Sequence, residues 1–131
     1  MTETAPSTRQ IEMIFPDQAN HYGTLFAGHA LNLLSRAAYV CASRHARQSV
    51  VMAACSEVQF FCPVKVGAAL ALSAQVVRTG RSSMTVEVNG DMQNLATGQS
   101  QAALSGRFEM VAVDGQGRPV AIHPEFLTEI A

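Results

Sequence analysis

PDQANHYGTLFAGHALNLLSRAAYVCA, residues 16–42, runs a turn-rich polar loop straight into a long, almost wholly apolar helix. Asn20, His21 and Gly23 mark the loop, and the helix is expected from about Thr24 to Arg44 or His45. Thr24 is expected to cap its start, while Arg44, His45 and Arg47 suit its C-terminal end, His45 as a capping contact. At 1.5 Å per residue such a helix is roughly 30 Å long. Its first turn, Phe26-Ala27-Gly28, has small residues where a ligand can approach the backbone. Unpaired N–H groups and a partial positive charge at that turn can hold an oxyanion. With the polar loop beside it, the turn predicts a site that polarises a carbonyl.

Outward from this helix the chain reads as strand. Ile11, Met13 and Phe15 alternate in a short strand that Pro16 stops. After the helix come Ser49 to Phe61, ended by Pro63, then Ala69 to Val77 with Leu70, Leu72, Ala74 and Val76 on one face. Ser82 to Asn89 sets Met84, Val86 and Val88 against Ser83, Thr85 and Glu87, and Gln101 to Val113 carries Phe108, Met110 and Ala112 in register. Lys65-Val66-Gly67, Thr79-Gly80-Arg81 and Asp114-Gly115-Gln116-Gly117 supply turns. Pro124 to Ile130 is expected to add a last short helix. One apolar helix followed by successive antiparallel strands calls for an α+β domain whose sheet curls around the helix. Apolar residues wrap most of the helix, so it reads as a core helix covered on several sides. One small sheet is too short to cover all of it, so its remaining side is expected to meet a second copy.

At 131 residues and 14.0 kDa the chain fits a single domain over 1–131, with 1–8 and 125–131 peripheral. Only 15% of residues are charged against 48% hydrophobic, which also points to surface covered by self-association. A net charge of −1 and scattered arginines with one lysine, Lys65, argue against nucleic acid as partner. MTETAPSTRQ lacks the basic and apolar regions of a signal peptide, and no apolar run approaches the roughly 20 residues of a membrane span. Cys41, Cys55 and Cys62 lack CxxC spacing and read as buried free thiols of a cytoplasmic protein, with no metal site.

Four segments in this order resemble the hotdog-fold acyl-CoA thioesterases, nearest their acyl-CoA hydrolase branch. They are PDQANHYGTLFAGHAL, ASRHARQSVV, FFCPVKVG, and GRSSM followed by FEMVAVDGQGRP. The resemblance covers about Ile11 to Pro124 and implies a long central helix wrapped by a curved antiparallel sheet. It further implies a homodimer at least, or a hexamer built as a trimer of dimers, with active sites at the dimer interface. Acyl-CoA is the implied substrate; its coenzyme A belongs to the substrate, so no cofactor is called for. Asn20 matches a loop asparagine that the family uses near the thioester. Gly23, Phe26 and Gly28 match the loop-to-helix turn whose backbone N–H groups, here those of Ala27 and Gly28, polarise the carbonyl. His21 and Thr24 stand in the same substrate-binding loop, and Gly80, Arg81, Ser82 and Ser83 match a turn that in relatives lies close to coenzyme A.

The pattern breaks inside the helix. Where relatives read LxxxDxAA, Leu31 to Ala38 places Ser35 at the catalytic aspartate position. Ser56 and Cys62 stand where relatives often carry an acid and an arginine, and Ala27 replaces the first glycine of a pair. A positioned carboxylate contributes about 10²–10⁴-fold as a general base, and an unassisted hydroxyl is a weak base and nucleophile. His29, six positions from Ser35, diverges from it by about 120° around the helix and forms no dyad with it. Glu57 is the nearest substitute acid. Strand parity groups it with Cys55 and Gln59, opposite Ser56, Val58 and Phe60, unless a β-bulge intervenes. Asp17 is a second substitute, or else the residue closing an Asx-turn. Asn20 itself either donates to a carbonyl and accepts from a water, or tolerates a positive φ in the turn. Arg81 is either a phosphate contact or an exposed turn arginine. The expected function is therefore acyl-CoA hydrolysis, slowed by the missing acid. The alternative is a non-catalytic acyl-CoA-binding protein of the same fold; a hydratase lacks its paired aspartate and histidine.

Overall fold

The computed structural model describes residues 7–122. Strand β1 (Ser7–Met13) leads through a short 3-10 turn (Pro16–Gln18) to helix α1 (Ala27–Ala46), followed by β2 (Val50–Phe60), β3 (Ala69–Thr79), β4 (Ser83–Gln93) and β5 (Ser100–Ala112). The five strands form one antiparallel sheet in the order β1-β3-β4-β5-β2, with α1 packed on it. This is the expected α+β hotdog architecture. The helix expected over Pro124 to Ile130 lies outside the described residues.

The core is the layer between α1 and the sheet. Ala30, Leu33, Leu34, Ala37, Ala38, Cys41 and Ala42 meet Leu70, Leu72, Val86, Val88, Phe108 and Met110, all buried. Alanines at four of those helix positions let the backbone approach the sheet closely. Within this chain α1 is covered on that side alone, not on several: Leu31, Tyr39 and Val40 remain exposed. Among the described residues no helix is long and apolar enough to cross a membrane.

Several local expectations are corrected. Thr24 does not cap α1; the cap residue is Phe26, with no side-chain cap bond, and the helix starts three residues later than Thr24. The cause is the extended path of Thr24 and Leu25, which bridge Lys65 and Ala19. At the other end Arg47 closes the helix in the left-handed region (φ 55°), its N–H donating to the Ser43 carbonyl. In β1 the apolar Ile11 and Met13 point outward and are exposed, while Thr8 faces the core. β4 runs through Gly90 because that glycine serves packing: a Cβ there would stand 2.8 Å from Leu104 and 3.1 Å from Leu72. Of the three free thiols only Cys41 is buried; Cys55 is exposed and Cys62 half-buried.

The edge strand β2 departs most from simple alternation. Its register against β5 slips between Met52 and Ala54 and again between Ser56 and Gln59, and Glu57 at the second slip has φ 52°. Ser56 pairs with Arg107 and Gln59 with Ser105 on the polar face, while Cys55 pairs with buried Phe108 and Phe60 with buried Leu104. Val58 packs against the core. The bulge therefore separates Ser56 from Val58 and Phe60, against the expected grouping.

Candidate active site

The loop before α1 is built around one side chain. Asn20 Oδ1 accepts from the backbone N–H groups of Tyr22 (2.9 Å) and Thr24 (3.2 Å) and from the Thr24 hydroxyl (3.2 Å). Because backbone N–H groups can bond only its oxygen, the amide orientation is fixed, and its Nδ2 has no partner among the described residues. Asn20 does not have a positive φ; Gly23 takes that conformation at 78°. Asp17 closes no Asx-turn: it is exposed and its side chain makes no hydrogen bond among the described residues, while Asn20 closes the turn instead.

The loop delivers the chain to α1 with its first donors free. The Phe26 N–H donates to the Gln18 carbonyl (2.9 Å), and the Ala30 N–H is the first to bond within the helix, to the Phe26 carbonyl (2.9 Å). The N–H groups of Ala27, Gly28 and His29 have no acceptor among the described residues. No acidic side chain lies in this first turn itself, whose end carries a partial positive charge. Gly28 lacks a Cβ where the Phe26 ring lies: a Cβ there would stand 2.9 Å from that ring. His21 is exposed beside Tyr22, ring centroids 4.1 Å apart.

Ser35 lies two turns further on, half-buried, and its hydroxyl donates to the Leu31 carbonyl at 2.8 Å. That back-bond occupies its only proton and leaves its lone pairs to accept. Ser35 lines a groove of about 570 Å³ with Gln10, Arg36, Tyr39, Val40 and Met52. Among the described residues no carboxylate lines this groove. Glu57 stands instead beside Gln59, Glu87 and Arg107 at a small cavity on the polar sheet face. The groove residues other than Ser35 escaped sequence reading, although Tyr39 and Val40, one turn after Ser35 and Arg36, were a helical-spacing signal for one shared face.

The β3–β4 turn lies at the other end of α1. His45 is buried and its Nε2 meets the Thr79 hydroxyl at 3.0 Å, so it ties the helix to this turn rather than capping helix carbonyls. Burial pushes its imidazole pKa below the ordinary value. The Gly80 N–H donates to the Ser83 carbonyl, and the carbonyls of Ser82 and Arg81 accept from Ala112 and Ile122. Arg81 is exposed. Gly28 and His45 are 17 residues apart on one helix, about 25 Å at 1.5 Å per residue. One chain thus does not bring the loop of Asn20 and the turn of Gly80 to Ser83 together. Among the described residues no cluster of His, Cys, Asp or Glu could hold a metal ion.

The profile of the Thioesterase superfamily matches residues 22–94. An uncharacterized acyl-CoA thioester hydrolase of Zymomonas mobilis is 38% identical over 119 residues, 91% of this chain and 78% of its own length. The acyl-CoA hydrolase of Staphylococcus aureus, solved with butyryl coenzyme A and coenzyme A, superposes with a TM-score of 0.85 at 29% identity, covering 90% of this chain and 72% of that one. A hexameric acyl-CoA thioesterase superposes with a TM-score of 0.87 at 36% identity, covering 90% and 76%.

Proposed function

From its membership of the thioesterase superfamily, to which this chain belongs, we propose that it hydrolyses acyl-CoA to free acid and coenzyme A. The observation that carries this reading is the set of unpaired N–H groups at Ala27, Gly28 and His29 beside the fixed amide of Asn20. A thioester carbonyl placed over that turn would develop its negative charge against donors already in place, which costs no reorganisation during reaction. Asn20 Nδ2 then donates to the carbonyl oxygen or orients the attacking water.

The rest of the site comes from a second copy in this reading. The exposed Leu31, Tyr39 and Val40 of α1 and the open edge of β2 offer it a surface, and the separation of loop and turn within one chain requires it. A homodimer at least, assembled as a hexamer like the relative described above, is the expected state, in the cytoplasm. His21, Gly23, Thr24 and Phe26 line the thioester side, and Gly80 to Ser83 of a partner face coenzyme A.

Ser35 occupies the aspartate position in this reading. The S. aureus hydrolase has been solved as alanine mutants of an asparagine and of an aspartate fifteen positions apart, the separation of Asn20 and Ser35 here. With its proton held by Leu31, Ser35 accepts from and orients a water without deprotonating it, so turnover is slow. A non-catalytic acyl-CoA binder is the second reading, favoured by the absence of a carboxylate from the groove among the described residues. Free-thiol release measured beside binding, over a panel of acyl-CoA esters, separates the two: thiol release supports hydrolysis, and binding without release supports the binder.

A further inference from the structure

Two arginines stand at the β3–β4 turn, and among the described residues only Arg78 has side-chain partners. Arg78 Nε donates to the hydroxyl of Thr85 (3.0 Å), a residue only 1% exposed. Its Nη2 donates to the Ser83 hydroxyl and to Glu109 Oε1, each at 3.3 Å. Thr85 in turn donates to Glu109, at 2.8 Å. These bonds fix the guanidinium plane from one side. Nη1, at the other edge, has no acceptor among the described residues and lies over Gly80, where a Cβ would come within 3.1 Å of it and within 3.0 Å of Ser83 Oγ. Gly80 is thus the residue type that leaves this nitrogen in place at the turn. Arg81 is exposed and its guanidinium has no partner among the described residues, so a ligand would have to immobilise it at the cost of its rotamer freedom.

We propose that Arg78 is the guanidinium that meets a phosphate of coenzyme A, through its Nη1 at the Gly80–Ser83 turn. This rests on the reading of that turn as the coenzyme A side of the site. A fork already held by Thr85, Ser83 and Glu109 presents its open edge to a phosphate oxygen without further ordering. Glu109 offsets part of the charge, so the contact depends on the direction of the N–H groups as well as on attraction between charges.

The test is calorimetric titration of the intact oligomer with coenzyme A, dephospho-coenzyme A and pantetheine. Arg78→Gln should weaken coenzyme A about tenfold or more and leave pantetheine, which lacks the diphosphate and nucleotide, within about twofold. If dephospho-coenzyme A already binds the native protein as weakly as the variant binds coenzyme A, the 3′-phosphate is the group met; an equal loss on both nucleotides points to the diphosphate. Arg78→Lys keeps the charge and covers the case in which glutamine destabilises the fold; it should bind coenzyme A more tightly than Arg78→Gln does. Loss of coenzyme A affinity on Arg81→Ala with none on Arg78→Gln keeps the turn as the site and overturns the inference. No loss on either variant overturns the turn reading itself, and an equal loss on coenzyme A and pantetheine marks Arg78 as structural.

Discussion

Asn20 and Thr24 are joined by three hydrogen bonds: the Asn20 N–H donates to the Thr24 carbonyl at 2.8 Å, and Asn20 Oδ1 accepts from both the Thr24 N–H and its hydroxyl at 3.2 Å. This closed ring leaves the amide nitrogen of Asn20 as the group the loop presents. Asn20→Asp keeps the acceptor and replaces the donor, so its stability to urea should stay near native while hydrolysis falls about 10²-fold, the loss of one oxyanion donor. Asn20→Ala should cost stability as well, about 1–3 kcal/mol for the unsatisfied loop donors. Urea unfolding beside thiol release measures both. Equal activity in Asn20→Asp and native protein removes Asn20 from the chemistry.

The helix, the four following strands and the buried faces of β3, β4 and β5 were legible because apolar periodicity reports packing directly, as Leu70, Leu72, Val86 and Phe108 do. What escaped was set by contacts distant in sequence. Thr24 looks like a helix cap, but its hydroxyl is taken by Asn20 and its backbone bridges Lys65. His45 looks like a cap on the helix end, but Thr79, 34 residues away, holds it. Gly90 looks like a strand end until Leu72 and Leu104 fill the space beside it. The pattern of β2 failed because a bulge at Glu57 resets parity, which no local alternation encodes. Of the candidate site, the loop and helix start were readable from Asn20, Gly23 and Gly28, whereas the Arg78–Thr85–Glu109 set needs three strand positions brought together.

Glu57 holds a left-handed backbone conformation that costs an L-residue about 1–2 kcal/mol. Glycine removes that cost and adds about 0.5–1 kcal/mol of chain entropy. Glu57→Gly should therefore be neutral to stabilising by up to about 1.5 kcal/mol, read as a raised urea midpoint at unchanged slope. Glu57→Val, β-branched at the same φ, should be clearly less stable than native. A Glu57→Gly protein markedly less stable than native would mean that the Glu57 side chain stabilises the fold beyond its backbone cost.

His45 is buried, and burial lowers its pKa below the ordinary 6.5. The unfolded chain then binds a proton that the folded chain refuses, so stability from this residue is complete above pH 6.5 and declines as pH falls toward the folded-state pKa. His45→Gln retains an amide for Thr79 and does not titrate. Denaturation midpoints followed downward from pH 7 should fall less steeply in His45→Gln than in the native protein. Parallel curves would show that another group governs this range.

The exposed face of α1 and the edge of β2 should be covered in solution. Sedimentation at micromolar concentration should give a dimer or a larger even assembly. A species of 14.0 kDa would contradict the shared site.

The decisive measurement is steady-state thiol release from acyl-CoA by the native oligomer and by Ser35→Asp, with coenzyme A binding checked in both. The carboxylate enters a groove lined by Tyr39, Val40 and Met52, where Gln10 and Arg36 can support its charge. The native protein should release thiol slowly, and Ser35→Asp should raise the rate about 10²-fold as a general base is restored. Native protein that releases no thiol, together with a folded, coenzyme A-binding Ser35→Asp that also releases none, would contradict hydrolysis at the start of α1.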